Sequence, residues 1–411
     1  MNVYLFAIIA FLIGFYILDM VVEIWNSYRI TTKIPEEFQD IYDQEKYSKS
    51  RKYLKETTLF GLVQGGVFLI LTILFILIGG FNFLDLKIRA LEYPDIFTGV
   101  IYIIILGFIS QLISLPFSYF LTFKIESKYG FNKSTKKVFV MDFIKSNILA
   151  TIIASIILLV VLGFFEYFPT NGWLIVWGAL TLIQFILIYI TPTLIMPIFN
   201  KFTPLEDSDL KKEVENFAKK HQFNIKGIYT MDGSKRSTKA NAFFTGFGKQ
   251  KRIVLFDTLI DKNTIKELLA VLAHEIGHYK MRHIHQGMIM SILTTGLMLF
   301  LLSFFLDNKN ISDAFKMDNV SIYTSIVFFG FLFRPLEGIL SVFNNIVSRK
   351  NEFAADRFSK NTTNDPESLI SGLKKLSVDS FANLTPAKIK VFMDYSHPPV
   401  TERIKALRKN K

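Results

Sequence analysis

Residues 268–285 read LLAVLAHEIGHYKMRHIH, and this stretch carries the pattern HExxH in His274, Glu275 and His278. Apolar residues recur through it at the spacing of an amphipathic helix. Side chains four residues apart on a helix lie about one turn apart on the same face. Both imidazoles can therefore bind one tetrahedral Zn²⁺ at about 2.0–2.1 Å, and Glu275 flanks them where it can accept a proton from metal-bound water. The alternative is two ordinary histidines on an amphipathic helix, and it is disfavoured because the chain has only 6 His.

The composition indicates a membrane protein. The 411 residues are 51% hydrophobic and include 42 Phe, and the mean hydropathy is +0.35, values outside the range of ordinary soluble domains. The chain has no Cys, which excludes disulfides and thiolate ligands. Its net charge of +12 comes from Lys and Arg spread over loops between apolar runs. This distribution predicts a cytosolic membrane surface in contact with lipids and no nucleic-acid partner.

Seven apolar runs are long enough to cross a hydrocarbon core of about 30 Å. The first is not preceded by Lys or Arg and has no small-residue cleavage site after it, so it predicts a retained span. The fifth contains Pro192 and Pro197, which predict a bend or an early exit from the bilayer. The runs are residues 4–22, 59–78, 97–117, 148–165, 173–199, 288–306 and 321–343.

The charges of the loops predict the orientation of these spans. The loops at 23–58 and 118–147 carry seven and six Lys or Arg residues. The loops at 82–96, 166–172 and 307–320 carry two, none and two. Because cytosolic loops are enriched in Lys and Arg, the N-terminus is predicted outside, and the C-terminus and the HExxH helix at the cytosolic face.

The fold class predicted is a mainly α polytopic membrane protein with seven transmembrane helices and a zincin-like α/β metalloprotease domain at the cytosolic side. Residues 1–200 hold spans one to five, 201–286 form the soluble insert, 287–345 hold spans six and seven, and 346–411 form cytosolic helices that complete the site. In the insert and the C-terminal part the patterns predict a helix at 207–222, strands at 225–231, 241–245 and 252–256, a hairpin turn at 246–250, the motif helix at 263–285, and helices at 348–360, 366–377 and 401–410.

Two histidines leave a zinc site one protein ligand short, with a fourth position for water. The best candidate is Glu352, in SRKNEFAAD just after the last span. Asp356 follows it by four residues on the predicted helix, so one carboxylate can bind the ion while the other supports a ligand histidine. The alternative is an ordinary surface helix with acidic residues.

Two further residues are weaker candidates when taken alone. His397 is held by the prolines of YSHPP and can donate to a developing oxyanion, and Arg403 can bind a substrate carboxylate. A loop histidine and a surface arginine are the alternatives. If the motif helix is continuous, His285 lies roughly 10 Å from His278 and is too far away to share its ion. His283 is a similarly weak candidate.

An ordered set of motifs resembles the type I CAAX prenyl endopeptidases, the integral-membrane zinc metalloproteases that process yeast mating pheromone and nuclear lamin precursors. The resemblance covers most of the chain. The motifs are LPF at 115–117, IESKYGFNK at 125–133, DFIK at 142–145, NAFFTGF at 241–247, KRIVLFDT at 251–258, LAHEIGH at 272–278, SRKNEFAAD at 348–356 and YSHPPVTER at 395–403.

What the resemblance implies for the site is one zinc ion per chain, held by His274, His278 and Glu352, with Glu275 as general base. Asp356 would orient a ligand histidine. The backbone of Asn241 and Ala242 would pair with substrate as an added strand, and His397 and Arg403 would line the site.

The resemblance also implies a ring of seven helices around a water-filled chamber and removal of the C-terminal tripeptide from prenylated C-a-a-X proteins. Some members of the family cut a second upstream site or clear proteins stalled in translocons. The 307–320 loop is short for the family, which argues against any function that depends on a larger lumenal loop.

Three other classes share part of these features. A quality-control metalloprotease of the heat-shock type has HExxH and a downstream Glu but typically fewer spans. An intramembrane zinc protease buries HExxH in lipid, whereas Lys262, Lys266, Lys280 and Arg282 bracket the motif helix here. A transporter or receptor with an incidental HExxH would contain no zinc.

The source and the native substrate stay open at this point. A chain rich in Lys, Asn, Ile and Phe and free of Cys indicates an AT-rich bacterial genome, and hence the bacterial inner membrane. In a eukaryote the endoplasmic reticulum membrane is expected. Bacteria generally make no prenylated C-a-a-X proteins, so the sequence does not identify the native substrate of a bacterial member. The partners expected are prenylated or other C-terminal peptides. The chain is expected to act as a monomer.

Overall fold

The computed structural model describes residues 2–223, 225–245 and 252–409. The turn predicted at 246–250 lies outside the described residues. Along the described chain the helices are α1 (Val3–Tyr28), α2 (Gln44–Leu77), α3 (Gly80–Arg89), α4 (Asp95–Phe120), α5 (Ser127–Tyr129), α6 (Lys136–Tyr167), α7 (Gly172–Ile190), α8 (Met196–Phe199), α9 (Asp209–Lys220), α10 (Asp257–Ile260), α11 (Ile265–Lys280), α12 (His283–Ser303), α13 (Lys309–Ala314), α14 (Ile322–Thr363), α15 (Pro366–Asp379), α16 (Lys388–Asp394) and α17 (Val400–Arg408).

Seven helices in the described chain are long and apolar enough to cross a membrane, which confirms the number predicted from hydropathy. They are α1, α2, α4 with α5, α6, α7 with α8, α12 and α14. Several extend well beyond the apolar runs, and α14 is 42 residues long. Its C-terminal half carries the charged sequence that follows the seventh apolar run, so one continuous helix joins the last span to the charged C-terminal part of the chain.

Two of the spanning helices change to a π-helical turn near their C-terminal ends. The first turn, Leu121–Glu126, joins α4 to α5 a few residues after Pro116. The second, Thr191–Ile195, joins α7 to α8 and contains Pro192. Proline lacks the N–H that continues the α-helical ladder, so a local change of helix type is expected where it interrupts a helix.

A four-stranded sheet forms the centre of the soluble part. Its strands are β1 (Phe202–Pro204), β2 (Gly227–Met231), β3 (Ala242–Thr245) and β4 (Arg252–Phe256), in the order β1-β2-β4-β3. The two central strands, β2 and β4, are parallel, and each outer strand is antiparallel to its neighbour. Because β3 is at the edge, one side of its backbone has no neighbouring strand among the described residues, which is the condition for adding a strand.

The sheet and α14 hold α11 from two sides. On one side, buried apolar residues of α11 such as Leu268 and Leu272 pack against Ile253 and Leu255 of β4. On the other side, Gly277 faces α14. A Cβ atom at this position would lie 3.2 Å from Ala355 Cα, so glycine permits the close approach of the two helices.

The start of α11 is fixed by a capping box. Thr264 accepts a hydrogen bond from the Glu267 N–H, and the Glu267 carboxylate accepts one from the Thr264 N–H at 2.7 Å. These two bonds satisfy backbone donors that the first turn leaves unpaired. Glu267 also pairs with Lys375 of α15 at 2.7 Å, which ties the first turn to the C-terminal helices.

The motif helix is shorter than predicted. The prediction of one helix over residues 263–285 was wrong at its C-terminal end, because α11 stops at Lys280 and α12 begins at His283. Arg282 between them has φ 60°, the left-handed conformation that ends a right-handed helix. For the same reason the sixth span starts before the predicted residue 288.

Several short elements carry no strong sequence signal and were not predicted: α3, α10, α13, α16 and β1. Two predicted domain boundaries fall inside continuous helices, since α12 runs through residues 286 and 287 and α14 runs through 345 and 346. The division into four regions stays a prediction.

Three large cavities lie against the spanning helices, with volumes of about 780, 730 and 610 Å³. The largest lies between α4 and α6 and includes Gln111, and the smallest includes Asp19 of α1 and Arg334 of α14. Polar groups at membrane depth usually face water or a bundle interior, so these positions fit a helix ring that surrounds a wet interior.

Candidate metal centre

Two imidazoles on α11 and one carboxylate on α14 converge. His274 Nε2 lies 3.1 Å from His278 Nε2. Glu352 Oε2 is 3.5 Å from His274 Nε2, and Glu352 Oε1 is 3.2 Å from His278 Nε2. One donor atom from each residue lies within 4.8 Å of the others. The structure therefore brings together the three residues that the sequence predicted as ligands.

The spacing and burial of these groups fit a metal ion. Donors at the corners of a tetrahedron with bonds of 2.0–2.1 Å are roughly 3.3–3.4 Å apart, close to the observed separations. The Glu352 side chain is only 5% exposed, and the contacts of its Oε2 atom are Arg403 Nη1 at 3.2 Å and His274 Nε2 at 3.5 Å. A buried carboxylate is stable only when its charge is compensated, and a cation at the centre of the three donors would give this oxygen a closer partner.

Two charged side chains behind His274, those of Asp356 and Arg403, fix the orientation of its imidazole. Its Nδ1–H donates to Asp356 Oδ1 at 2.9 Å, which leaves Nε2 directed at the candidate site. Arg403 binds the same carboxylate through two atoms, with Nε 2.8 Å from Oδ2 and Nη2 2.6 Å from Oδ1. Burial lowers the pKa of His274, but hydrogen bonds to Asp356 and Glu352 outweigh it and raise the pKa to about 9. Metal binding at Nε2 competes with protonation of this imidazole.

Arg403 is nearly buried, and its guanidinium donors face acidic groups of the site. Besides Asp356 it contacts Glu352, with Nη1 3.2 Å from Oε2. This arrangement balances part of the negative charge that the two carboxylates bring into the interior. Direct contact of Arg403 with a substrate stays a prediction.

Glu275 is half-buried and lines the second of the three large cavities, of about 730 Å³, together with His278. Burial raises the pKa of Glu275, although the neighbouring imidazoles oppose the shift. A carboxylate whose pKa is raised toward neutral is a better proton acceptor than an ordinary surface Glu. The site thus has a candidate base beside the candidate metal ligands and open to the cavity.

The edge strand β3 borders the same cavity through Phe243 and Phe244. Asn241 and Ala242, the residues predicted to pair with substrate, lie where this strand begins, and the Asn241 side chain accepts from the Ala242 N–H at 2.9 Å. An extended peptide added to β3 would therefore lie along the cavity that contains Glu275. Its pairing with substrate stays a prediction.

His397 lies beside the same group. Its Nε2 atom is 3.4 Å from Glu352 Oε1, and its side chain is 66% exposed. Ser396 Oγ lies 3.0 Å from its Nδ1. The proximity and the exposure are those required of a group that donates to a substrate, and that role stays a prediction.

His283, a weak candidate in the sequence, is a close neighbour of the site. Its Nδ1 atom lies 3.0 Å from Nδ1 of His278, and it lines the cavity. Its contact with His278 was not predicted, because the contact needs the helix to break at Arg282 and the sequence predicted one continuous helix. The signal available in the sequence was the five-residue separation of His278 and His283 across the segment Lys280-Met281-Arg282.

Charged residues of the spanning helices hold the segment that leads into β3. Arg236 binds Asp142 of α6 with two hydrogen bonds, of 2.7 and 2.9 Å. Lys239 pairs with Glu126 in the π-helical turn after α4 at 3.2 Å. Asp142 and Glu126 belong to the DFIK and IESKYGFNK motifs. These motifs thus tie the start of the edge strand to the membrane helices.

The fold and the site together define a membrane metallopeptidase of the HExxH class. Comparison with known families refines this class. Residues 6–201 match the model of the CAAX prenyl protease N-terminal region with five membrane helices, and residues 204–411 match the model of peptidase family M48.

Individual relatives agree along nearly the whole chain. CAAX prenyl protease 1 of Saccharomyces cerevisiae is 34% identical over 96% of this chain and 94% of its own. The CAAX prenyl protease 1 homolog of Homo sapiens is 31% identical over 93% of this chain and 90% of its own length. The crystal structure of S. mikatae Ste24p superposes with a TM-score of 0.94 at 32% identity, covering 99% of each chain.

The chain therefore belongs to the type I CAAX prenyl endopeptidase family, within peptidase family M48. The predicted fold class, the resemblance and the enzyme class are confirmed. Membership implies a resident metal, and the His-His-Glu group is the site in the described chain that could hold it.

Proposed function

We propose that this protein is a zinc endopeptidase that removes the C-terminal tripeptide from prenylated C-a-a-X substrates. The observation that carries the proposal is the convergence of His274, His278 and Glu352 beside Glu275 and the edge strand. Relatives named CAAX prenyl protease 1 align with almost the full chain, which supports the proposal.

One zinc ion per chain is the proposed metal. Two imidazoles and one carboxylate form a donor set that zinc commonly uses in hydrolytic sites, where a fourth position is left for water. When bound there, zinc supplies a Lewis acid that activates water and polarises the scissile carbonyl. All three donors come from one chain, which agrees with the proposal that the protein acts as a monomer.

The residues of this chain would carry out proton transfer, orient the ligand His274 and stabilise the developing oxyanion. Glu275 accepts the proton of the attacking water and passes it to the leaving amide nitrogen. Asp356 and Arg403 keep His274 in the tautomer whose Nε2 faces the ion. His397, whose imidazole is accessible, donates a hydrogen bond to the oxygen that becomes negative during attack.

Substrate binding is proposed to use the free side of β3. Main-chain hydrogen bonds to Asn241 and Ala242 would hold the peptide extended and place its scissile bond in the cavity beside Glu275. Such bonds are independent of side chains. They give affinity without strong sequence preference, so the lipid group of the substrate would supply much of the selectivity.

The direct test compares two peptides that differ only in the lipid. The purified zinc-loaded protein is incubated with a farnesylated C-a-a-X peptide and with its unprenylated form, and the products are weighed by mass spectrometry. We expect loss of the three C-terminal residues from the farnesylated peptide. Equal cleavage of both peptides at scattered positions would instead support a quality-control protease of broad specificity.

We also propose that the active site faces the cytosol, in the inner membrane of a bacterium or the endoplasmic reticulum of a eukaryote. The support is the alternation of basic-rich and basic-poor loops. The exposed apolar side chains of the spanning helices would then contact membrane lipids.

The orientation can be tested cleanly because the chain has no Cys. Single substitutions Lys309→Cys and Lys220→Cys place one thiol on α13 and one at the end of α9, both at exposed positions. In sealed vesicles that present the non-cytosolic face, an impermeant maleimide should label only Lys309→Cys, and Lys220→Cys should react after permeabilisation. The reverse pattern would refute the orientation.

A further inference from the structure

The contact between His278 and His283 has no role in the mechanism described above. The two Nδ1 atoms are 3.0 Å apart. At this distance one ring must donate and the other accept, because two lone pairs or two protons facing each other would repel. The contact therefore fixes which nitrogen of each imidazole carries a proton.

The direction of this hydrogen bond follows from the candidate metal site. His278 Nε2 lies 3.1 Å from His274 Nε2 and 3.2 Å from Glu352 Oε1, so Nε2 is the atom that faces the ion. A neutral imidazole that binds metal through Nε2 carries its proton on Nδ1. The proton of His278 Nδ1 then points at His283, whose Nδ1 must accept it.

We propose that His283 is a positioning residue for His278, holding its ring and tautomer so that Nε2 is presented to the metal. This inference rests on the metal site of the proposed function. It gives His278 the kind of support that Asp356 gives His274, whose Nδ1 lies 2.9 Å from the Asp356 carboxylate. Ligand histidines generally need such a partner for their second nitrogen.

At the position of His283, a neutral hydrogen-bond acceptor suits the charge of the site better than a further carboxylate would. Glu275, Glu352 and Asp356 bring three negative charges within the same region, and Arg403 with a divalent cation would balance them. Another buried carboxylate beside His278 would be left uncompensated, which is destabilising. An imidazole accepts the same hydrogen bond without adding charge.

The chain reaches this arrangement through the strained residue at the helix junction. In a continuous helix, residues five apart are roughly 140° apart around the axis, so His283 would point away from His278. The left-handed conformation of Arg282, with φ 60°, ends α11 and redirects the chain before α12. That conformation is unfavourable for a residue other than glycine, and strain of this kind is concentrated at functional sites.

The test replaces His283 in two ways. His283→Leu keeps bulk and removes the acceptor, whereas His283→Asn places a side-chain oxygen near the position of Nδ1. The matched control is His285→Leu, since His285 lies on the same helix and is absent from the described residues that line the cavity. The readout is the zinc dissociation constant of the purified full-length protein, measured by competition with a chromophoric chelator. Thermal unfolding of each metal-free protein controls for folding.

We expect His283→Leu to weaken zinc binding by about 10- to 100-fold, the usual effect of losing such a partner. His283→Asn should recover most of the affinity, and His285→Leu should bind zinc as the parent protein does. The inference is overturned if His283→Leu binds zinc with the parent affinity, or if the Asn variant loses as much as the Leu variant with unfolding unchanged. Zinc binding is measured without substrate, so a failure to cleave prenylated peptides would remove the proposed specificity and leave this inference standing.

Discussion

Replacing Glu275 by Gln is expected to lower kcat by roughly 10²- to 10⁴-fold, the usual contribution of a general base, while zinc stays bound. Gln has nearly the shape of Glu but cannot accept a proton, so the ligands keep their positions while proton transfer is lost. Glu275 is not one of the three clustered donor residues, and removal of its charge leaves that group intact. The measurement is the rate of tripeptide release at saturating substrate, with zinc content determined on the same sample.

The control for this variant is Glu402→Gln, which removes an exposed carboxylate from α17, next to Arg403 in sequence. Its rate and zinc content should equal those of the parent protein. A Glu275→Gln protein that cleaves at the parent rate would show that another group accepts the proton. A variant that is inactive because it has lost zinc would assign Glu275 to the metal site instead of to proton transfer.

Replacing Glu352 by Gln is expected to abolish both zinc binding and peptide cleavage. The two histidines on α11 would remain, but a neutral amide is a weak ligand for zinc compared with a carboxylate. The change also removes one of the two carboxylates that contact the nearly buried Arg403, whose Nη1 lies 3.2 Å from Glu352 Oε2. Zinc content per chain should fall from about one toward zero, since two protein ligands hold the ion poorly.

Thermal unfolding gives an independent measure of the same effect. A ligand that binds only the folded state raises its stability in proportion to the logarithm of its concentration. Added zinc should therefore raise the melting temperature of the parent protein and of Glu402→Gln, and leave that of Glu352→Gln unchanged. Full zinc occupancy in Glu352→Gln would place the third ligand elsewhere.

The ligand pair on α11 could be predicted from the sequence because helix geometry alone sets the separation of His274 and His278. Glu352 could be predicted only as a candidate. Its contact with the pair depends on the packing of α14 against α11, which the close approach at Gly277 permits. The same packing brings Asp356 to His274 and Arg403 to Asp356, contacts that join three separate helices.

His283 illustrates where local patterns fail. Hydrophobic periodicity continues from α11 into α12, so the sequence predicts one helix through residue 285. The left-handed residue at the junction is Arg, and nothing in its neighbours identifies a break of this kind. Local hydrogen bonds from the Met281 and Arg282 N–H groups to the Gly277 and Tyr279 carbonyls close the turn, but the contact between the two histidines depends on the direction that α12 then takes.

Taken by itself, the sequence determined the seven spans, the class of metal site and the family. These properties depend on hydropathy and on residue spacing within a segment, and both are set by near neighbours in the chain. The tertiary structure alone decided that a carboxylate from α14, an imidazole from α12 and a guanidinium from α17 surround the two histidines. Such groups are distant in sequence, and only the burial of helix and sheet faces against one another brings them within hydrogen-bonding range.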